Sequence, residues 1–188
     1  MKPRLIVMVK EPRPGRVKTR LAADIGRIEA TWWFRHQVRS LLRRLNDSRW
    51  ETVLSVAPDP AVTSRAFPCN LPRLPQGRGD LGTRMARAMS GHRAPVCVIG
   101  ADIPGINRAA IARAFHLLGS HDAVFGPAPD GGYWLVGLKH AAPLPAGLFD
   151  GVRWSTEHAL VDSVASLRGR SVGFAATLRD VDTAADLQ

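Results

Sequence analysis

Cysteine is scarce in this sequence: its 188 residues hold two, Cys69 and Cys97. They have no CxxC spacing and no histidine cluster beside them, so they read as two reduced thiols, one in a buried strand, and not as a disulfide framework or a metal site. No run of 18 or more apolar residues occurs, which leaves no candidate for a membrane-spanning helix. The apolar stretch from Leu5 to Val9 is too short for the core of a secretion signal, and no small-residue cleavage site follows it. A cytoplasmic location is the resulting expectation.

Acidic residues are also few, 16 Asp and Glu against 26 Lys and Arg, for a formal net charge of +10. That excess fits an anionic partner: nucleic acid, anionic lipid or nucleotide phosphates. The arginines are scattered, however, and no helix-turn-helix, zinc finger or aromatic stacking platform accompanies them, which argues against nucleic acid. Repeats, low-complexity segments and linkers are missing too. A chain of this length suits one domain with its own core, so residues 1–188 are expected to form a single domain.

What is present is an alternation of apolar runs and helical patterns. Residues 4–10 (RLIVMVK) read as a buried strand and 11–17 as a Pro/Gly loop. A helical pattern runs from about Lys18 to Leu45, broken near Gly26, with Trp33, Phe34, Val38, Leu41, Leu42 and Leu45 at helical spacing. Residues 51–57 are a second strand, stopped by Pro58-Asp59-Pro60, and a short strand is expected near Leu71–Pro75. A helix over Leu81–Ser90, a central strand over Pro95–Gly100 and a helix from an Asn107 cap to about Leu118 follow. Strands at Ala123–Phe125 and Tyr133–Leu138 flank a Pro/Gly turn. A helix capped by Ser155 or Thr156 runs to about Leu167, and Ser171–Ala175 is a last strand. This order predicts an α/β fold with a mostly parallel sheet and helices on both faces. Ligands of such sheets sit beyond the carboxyl ends of the strands, which directs attention to the loops there.

The loop after the first strand runs Lys10-Glu11-Pro12-Arg13-Pro14-Gly15-Arg16-Val17-Lys18-Thr19-Arg20-Leu21. Gly15 permits close backbone approach, the next helix offers free N–H groups, and Lys10, Arg16, Lys18 and Arg20 bring cations together. It suits a di- or triphosphate, or equally a solvated basic turn. It matches neither GxxxxGK[ST] nor GxGxxG. In Gln76-Gly77-Arg78-Gly79-Asp80, glycines expose backbone to a flat ligand and Gln76 carries both donor and acceptor for a base edge; Asp80 is equally an N-cap. Asp102 ends the central apolar strand, where a carboxylate needs a cation (Lys, Arg, or a divalent metal shared with phosphate) or else only caps the turn into the next helix. Asp130-Gly131-Gly132-Tyr133 reads either as a hairpin turn or as an acceptor loop with Asp130 as base. Trp154 is core or pocket wall, with Ser155 and Thr156 as a cap. Asp180 and Asp182 alternate along an extended segment and would share a side, as a second metal carboxylate or as a polar strand end.

Taken in order, KEPRPGRVKTRL (10–21), QGRGDLGTRM (76–85), VIGADIPG (98–105), FGPAPDGGYWLVGL (125–138), WSTEHAL (154–160) and DVDTAADL (180–187) resemble the rSAM/selenodomain-associated transferases. That group resembles a branch of the GT-A superfamily near molybdenum-cofactor guanylyltransferase and 2-phospholactate guanylyltransferase. The resemblance implies a three-layer α/β/α sandwich, a mostly parallel mixed sheet of the nucleotide-diphospho-sugar transferase type, binding a nucleoside di- or triphosphate. It implies phosphate binding by Lys18 and Arg20, with the base near Gln76–Gly79. It implies Mg²⁺ or Mn²⁺ on Asp102 with Asp182 and Asp180, and an acceptor facing Asp130 and its glycines. The first loop lacks the GGxSxRMG signature of the molybdenum-cofactor enzyme and lies nearer the phospholactate enzyme. Gly100-Ala101-Asp102 carries one acid where many glycosyltransferases have Asp-x-Asp. The expected activity is nucleotidyl transfer from a nucleoside triphosphate, with GTP suggested by the relatives, to a small acceptor. Glycosyl transfer from a nucleotide sugar, and a non-catalytic nucleotide-binding or nucleic-acid-binding module, are the alternatives.

Overall fold

The computed structural model describes residues 1–181 and residue 183. Its centre is a seven-stranded sheet in the order β3-β2-β1-β4-β6-β5-β7. β1 (Arg4–Lys10) runs parallel to β2 (Glu51–Ala57) on one side and to β4 (Val96–Gly100) on the other. β3 (Arg73–Pro75) extends the parallel part beyond β2. β5 (Ala123–Pro127) and β6 (Tyr133–Leu138) form an antiparallel pair; β6 runs against β4, and β7 (Val172–Phe174) joins β5 in parallel. The sheet is thus mixed and mostly parallel, as expected. Because β6 is reversed, its first residue, Tyr133, lies at the same end of the sheet as the last residues of β1 and β4.

The central strands are apolar on both faces because both faces are covered. On one face, α2 (Arg27–Arg44) sets Phe34, Val38, Leu41 and Leu42 against Leu5, Val7 and Leu54, and α4 (Arg108–Leu117) adds Ile111 and Ala114. On the other, α3 (Leu81–Met89) packs Met85 and Met89 against Ile6, Val98 and Phe125. α5 (Ala159–Ala165) belongs to that second layer through Leu160 and Val164. Each fully buried Leu, Ile or Phe contributes roughly 1.5–3 kcal/mol relative to exposure. α1 (Thr19–Ile25) is a short helix that ends at Gly26 before α2 begins, where the sequence places the break. Among the described residues, no helix is long and apolar enough to cross a membrane.

Most boundaries match the sequence pattern within two residues. α3 and α4 start from Asp80 and Asn107, whose side chains accept hydrogen bonds from the backbone N–H groups of Thr83 and Ala110. The clear departure lies at 155–158. Ser155 has φ 61° and caps no helix. The Thr156 hydroxyl donates to the Arg153 carbonyl at 2.8 Å and accepts from the His158 N–H at 3.2 Å, closing a turn. α5 therefore begins only at Ala159, after His158.

Candidate active site

The loop after β1 is anchored at both ends. The Glu11 N–H donates to the Ala57 carbonyl at 2.7 Å, and Val17 is buried in the core. Between them the Arg16 N–H closes a turn onto Arg13 at 3.0 Å. Lys18, the residue before α1, adopts φ 46° and ψ 52°, a left-handed conformation uncommon outside glycine. From there its Nζ reaches Asp102 Oδ2 at 2.8 Å, at the carboxyl end of β4. The Lys18 side chain is only 6 % exposed and that of Asp102 35 %, so this pair sits at the boundary between protein and solvent. A left-handed lysine held against a carboxylate is local strain at a site where charges converge, a combination that points to function.

The pair stands where two adjoining cavities meet. The smaller, of about 460 Å³, is walled by Lys10, Lys18, Thr19, Arg20, Gln76 and Arg84, with Asp102. The larger, of about 630 Å³, is walled by Asp130, Gly132, Tyr133, Trp154, Ser155, Thr156, Glu157 and Asp180, with Arg20 and Asp102. Met8, Arg20, Leu81, Gly100 and Asp102 line both. The cationic loop near the start of the chain and the carboxylates of its middle and tail therefore converge, as the sequence reading required. Asp180 reaches the larger cavity, whereas Asp182 lies outside the described residues.

Other expected residues serve differently. Pro14, Gly15 and Arg16 are exposed and do not line either cavity; nor do Gly77, Gly79 and Asp80. Gln76 does line the smaller cavity, but its Nε2 donates to the carbonyls of Ser55, at 2.9 Å, and Val9, at 3.4 Å. Its amide N–H groups tie the ends of β1 and β2 together, so they are engaged within the protein rather than offered to a base. The 76–79 loop is itself stapled: the Gly77 N–H donates to Asp59 Oδ1 at 2.9 Å, and Arg87 donates to the carbonyls of Gln76, at 2.7 Å, and Arg78, at 3.0 Å. Asp80 is a cap; its carboxyl is held below the usual range by the side-chain and backbone hydrogen bonds of Thr83.

Asp130 sits in a hairpin turn between β5 and β6, as its spacing suggests, and also faces the larger cavity. Its Oδ1 accepts from the Gly132 N–H at 2.9 Å. Gly131 is required there: φ is +83°, and its Cα lies so close to the Glu157 backbone that a Cβ would collide with the Glu157 carbonyl. That contact, with the Leu160 N–H donating to the Gly131 carbonyl at 3.0 Å, holds the Asp130 turn against the Glu157 loop. Tyr133 is turned inward, its hydroxyl 3.1 Å from Ser163 Oγ; burial pushes its phenol up, partly opposed by that hydrogen bond, so it stays protonated and serves as wall. Trp154 stands edge-on to Phe149, 5.8 Å between centroids, and to Tyr133 at 6.5 Å. Gly82 makes room for it, since a Cβ there would lie 2.6 Å from the indole.

Arg84, Met85, Leu81 and Glu157 line the cavities but were not among the expected residues. The spacing of 81, 84 and 85 on one helix face carries that signal. The placement of Glu157 depends on the turn at 155–158, which the cap-like Ser-Thr pair conceals. Among the described residues, no group of three or more His, Cys, Asp or Glu side chains is placed to hold a metal. Asp102 and Asp180 line the same cavity and are of the donor type that suits a hard divalent cation, since Mg²⁺ commonly takes one or two carboxylates and completes its shell with phosphate oxygens and water.

Residues 41–156 match the model of a family described as "Uncharacterized protein conserved in bacteria (DUF2064)". None of the curated proteins matches the chain. A crystal structure from Desulfovibrio desulfuricans G20, of a protein assigned as a nucleotide-diphospho-sugar transferase, is 31% identical with a TM-score of 0.89 and covers 100% of this chain and 85% of its own. Two more distant structures share the fold. Rv0371C from Mycobacterium tuberculosis H37Rv, in complex with manganese, is 13% identical with a TM-score of 0.54, over 100% of this chain and 96% of its own. CMP:2-keto-3-deoxy-manno-octonic acid synthetase, in complex with CTP, is 11% identical with a TM-score of 0.57, over 100% and 95%.

Proposed function

This chain belongs to the DUF2064 family, and on that footing we propose that it is a metal-dependent transferase acting on a nucleoside-phosphate donor. The observation that carries the reading is the Lys18–Asp102 pair at the junction of a cation-walled cavity and a carboxylate-walled one. The assigned character of the Desulfovibrio relative, the CTP bound to one protein of this fold and the manganese bound to another lend it support.

In this reading the smaller cavity takes the donor phosphates. Lys10, Lys18, Arg20 and Arg84 line it and supply the positive field. Asp102, with Asp180 and with Asp182 as a further candidate, would hold Mg²⁺ or Mn²⁺, which screens phosphate charge when bound. The larger cavity takes the acceptor. For nucleotidyl transfer from a nucleoside triphosphate such as GTP, an acceptor oxygen bonds to the α-phosphorus as the bond to the bridging oxygen breaks. Lys18 and Arg20 stabilise the departing pyrophosphate, and an acceptor hydroxyl passes its proton to Asp130. Positioning and electrostatics supply the rate enhancement.

Sugar transfer is the second reading, and two carboxylates lining the larger cavity, Asp130 and Glu157, support it equally: either would take a proton from an acceptor hydroxyl. There the acceptor oxygen bonds to the anomeric carbon and a nucleoside diphosphate departs. Incubation with a panel of nucleoside triphosphates and nucleotide sugars, with Mg²⁺ or Mn²⁺, separates the two. Pyrophosphate release identifies nucleotidyl transfer; nucleoside diphosphate accompanied by a glycosylated acceptor identifies sugar transfer. Absence of any metal-dependent nucleotide binding contradicts both.

A further inference from the structure

The two cavities differ in the sign of their walls. Among the described residues, the smaller has Lys10, Lys18, Arg20 and Arg84 against Asp102. The larger has Asp102, Asp130, Glu157 and Asp180 against Arg20. In a chain of net charge +10 the larger cavity reverses the overall sign. We infer that the larger cavity takes an uncharged, hydroxylated acceptor with an apolar face, such as a sugar or polyol, and rejects acceptors bearing phosphate or carboxylate. The inference rests on the proposed function for the word acceptor, while the charge preference belongs to the cavity itself.

The chemistry of the wall supports that class. Carboxylates at neutral pH accept hydrogen bonds only, which matches hydroxyl donors and repels anions. A phosphate brought within a few ångström of a carboxylate is disfavoured about fivefold or more, even in water. Assigning Asp102 and Asp180 to a cation leaves this intact, because Asp130 and Glu157 stand on the wall built from the hairpin turn and the loop packed on it. The Glu157 carboxylate is 80 % exposed and the Asp130 loop is open, so both meet what enters. Met8, Leu81, Met85, Tyr133 and Trp154 line the same cavity and give it apolar, partly aromatic surface. Aliphatic and aromatic side chains suit the C–H face of a sugar. The lining thus offers a ring apolar contact and its hydroxyls acceptors.

The test uses pairs that differ in one phosphate: glycerol with glycerol 3-phosphate, and methyl glucoside with glucose 6-phosphate. Each is titrated by ligand-observed NMR at fixed ionic strength into the protein alone, and into the protein with Mg²⁺ and the nucleoside diphosphate that binds best. The uncharged member is expected to bind at least roughly tenfold more tightly, and the margin should shrink by about tenfold in D130N/E157Q. E157Q alone, at an exposed position, should narrow it in the same direction without affecting folding. Equal or tighter binding of the phosphorylated members, or binding of neither member of either pair, overturns the inference. If no nucleotide binds but the uncharged members still do, the cavity preference stands and the donor reading fails.

Discussion

Lys18 Nζ and Asp102 Oδ2 lie 2.8 Å apart, joining the loop after β1 to the loop after β4 across the carboxyl end of the sheet. Parallel pairing of those strands, Met8 opposite Gly100, is what brings two segments so distant in sequence to one point. The geometry separates the cations of the loop into those that face the cavity and those that do not. Lys18→Met should weaken nucleotide binding by roughly tenfold or more, as loss of a charge-assisted phosphate contact does. Arg16→Met, at an exposed position outside both cavities, should change it less than about twofold. Paired isothermal titrations check this; equal losses in the two variants would show that the loop acts by net charge alone.

Gly82 lies in the first turn of α3, against the Trp154 indole and the Phe149 side chain. Gly82→Ala would place a Cβ 2.6 Å from Trp154 and 2.7 Å from Phe149 Cβ. Helix propensity favours alanine by up to about 1 kcal/mol, but overpacking costs about 1–3 kcal/mol. The variant is expected to melt several degrees lower, at roughly 2–4 °C per kcal/mol, and to bind acceptor less well than donor. Thermal melts with separate donor and acceptor titrations measure both effects.

The Arg153–Asp162 pair ties the Trp154 segment to α5 through contacts of 2.8 and 2.9 Å. Arg153 holds the Asp162 carboxyl down at about 2, below its usual 3.8. A carboxyl depressed in the folded state contributes stability that is complete above its unfolded value and is lost as pH falls through the folded one. The contribution of Asp162 should therefore fade between about pH 4 and pH 2. Denaturant melts of wild type and Asp162→Asn should differ at pH 6 and converge near pH 2.

Much of the fold was legible because local signals agreed with tertiary placement. The buried runs at 4–10 and 96–100, the caps Asp80 and Asn107, and the break at Gly26 all read directly. The need of Asp102 for a cation was legible from its place at the end of an apolar strand, and Lys18 supplies one. The site was not legible where a side chain had two plausible purposes. Gln76 could meet a base or the backbone, and the ends of β1 and β2 take its amide N–H groups. Ser155 and Thr156 carry cap chemistry but close a turn, because Arg153 and Asp162, joined across that turn, delay the helix. Arg84 and Glu157 face the cavities only by virtue of the packing of α3 and of the 155–158 turn.

The two thiols differ sharply in exposure. Cys69 is exposed, whereas Cys97 is in the central strand and burial raises its pKa far above the ordinary thiol value. Since the thiolate is the reactive form, a chromogenic disulfide reagent should label one thiol per chain in the native protein and two after denaturation. Rapid native labelling of both would contradict the placement of β4.

The account rests on one shared charge site for metal and phosphate. The most direct test is calorimetric titration of a nucleoside triphosphate, with and without Mn²⁺, into wild type and Asp102→Asn. Wild type should bind at least about tenfold more tightly with the metal, and the variant should lose that metal-dependent gain while keeping its fold by circular dichroism. A folded variant that retains the full gain would show that Asp102 holds no metal and would contradict the account.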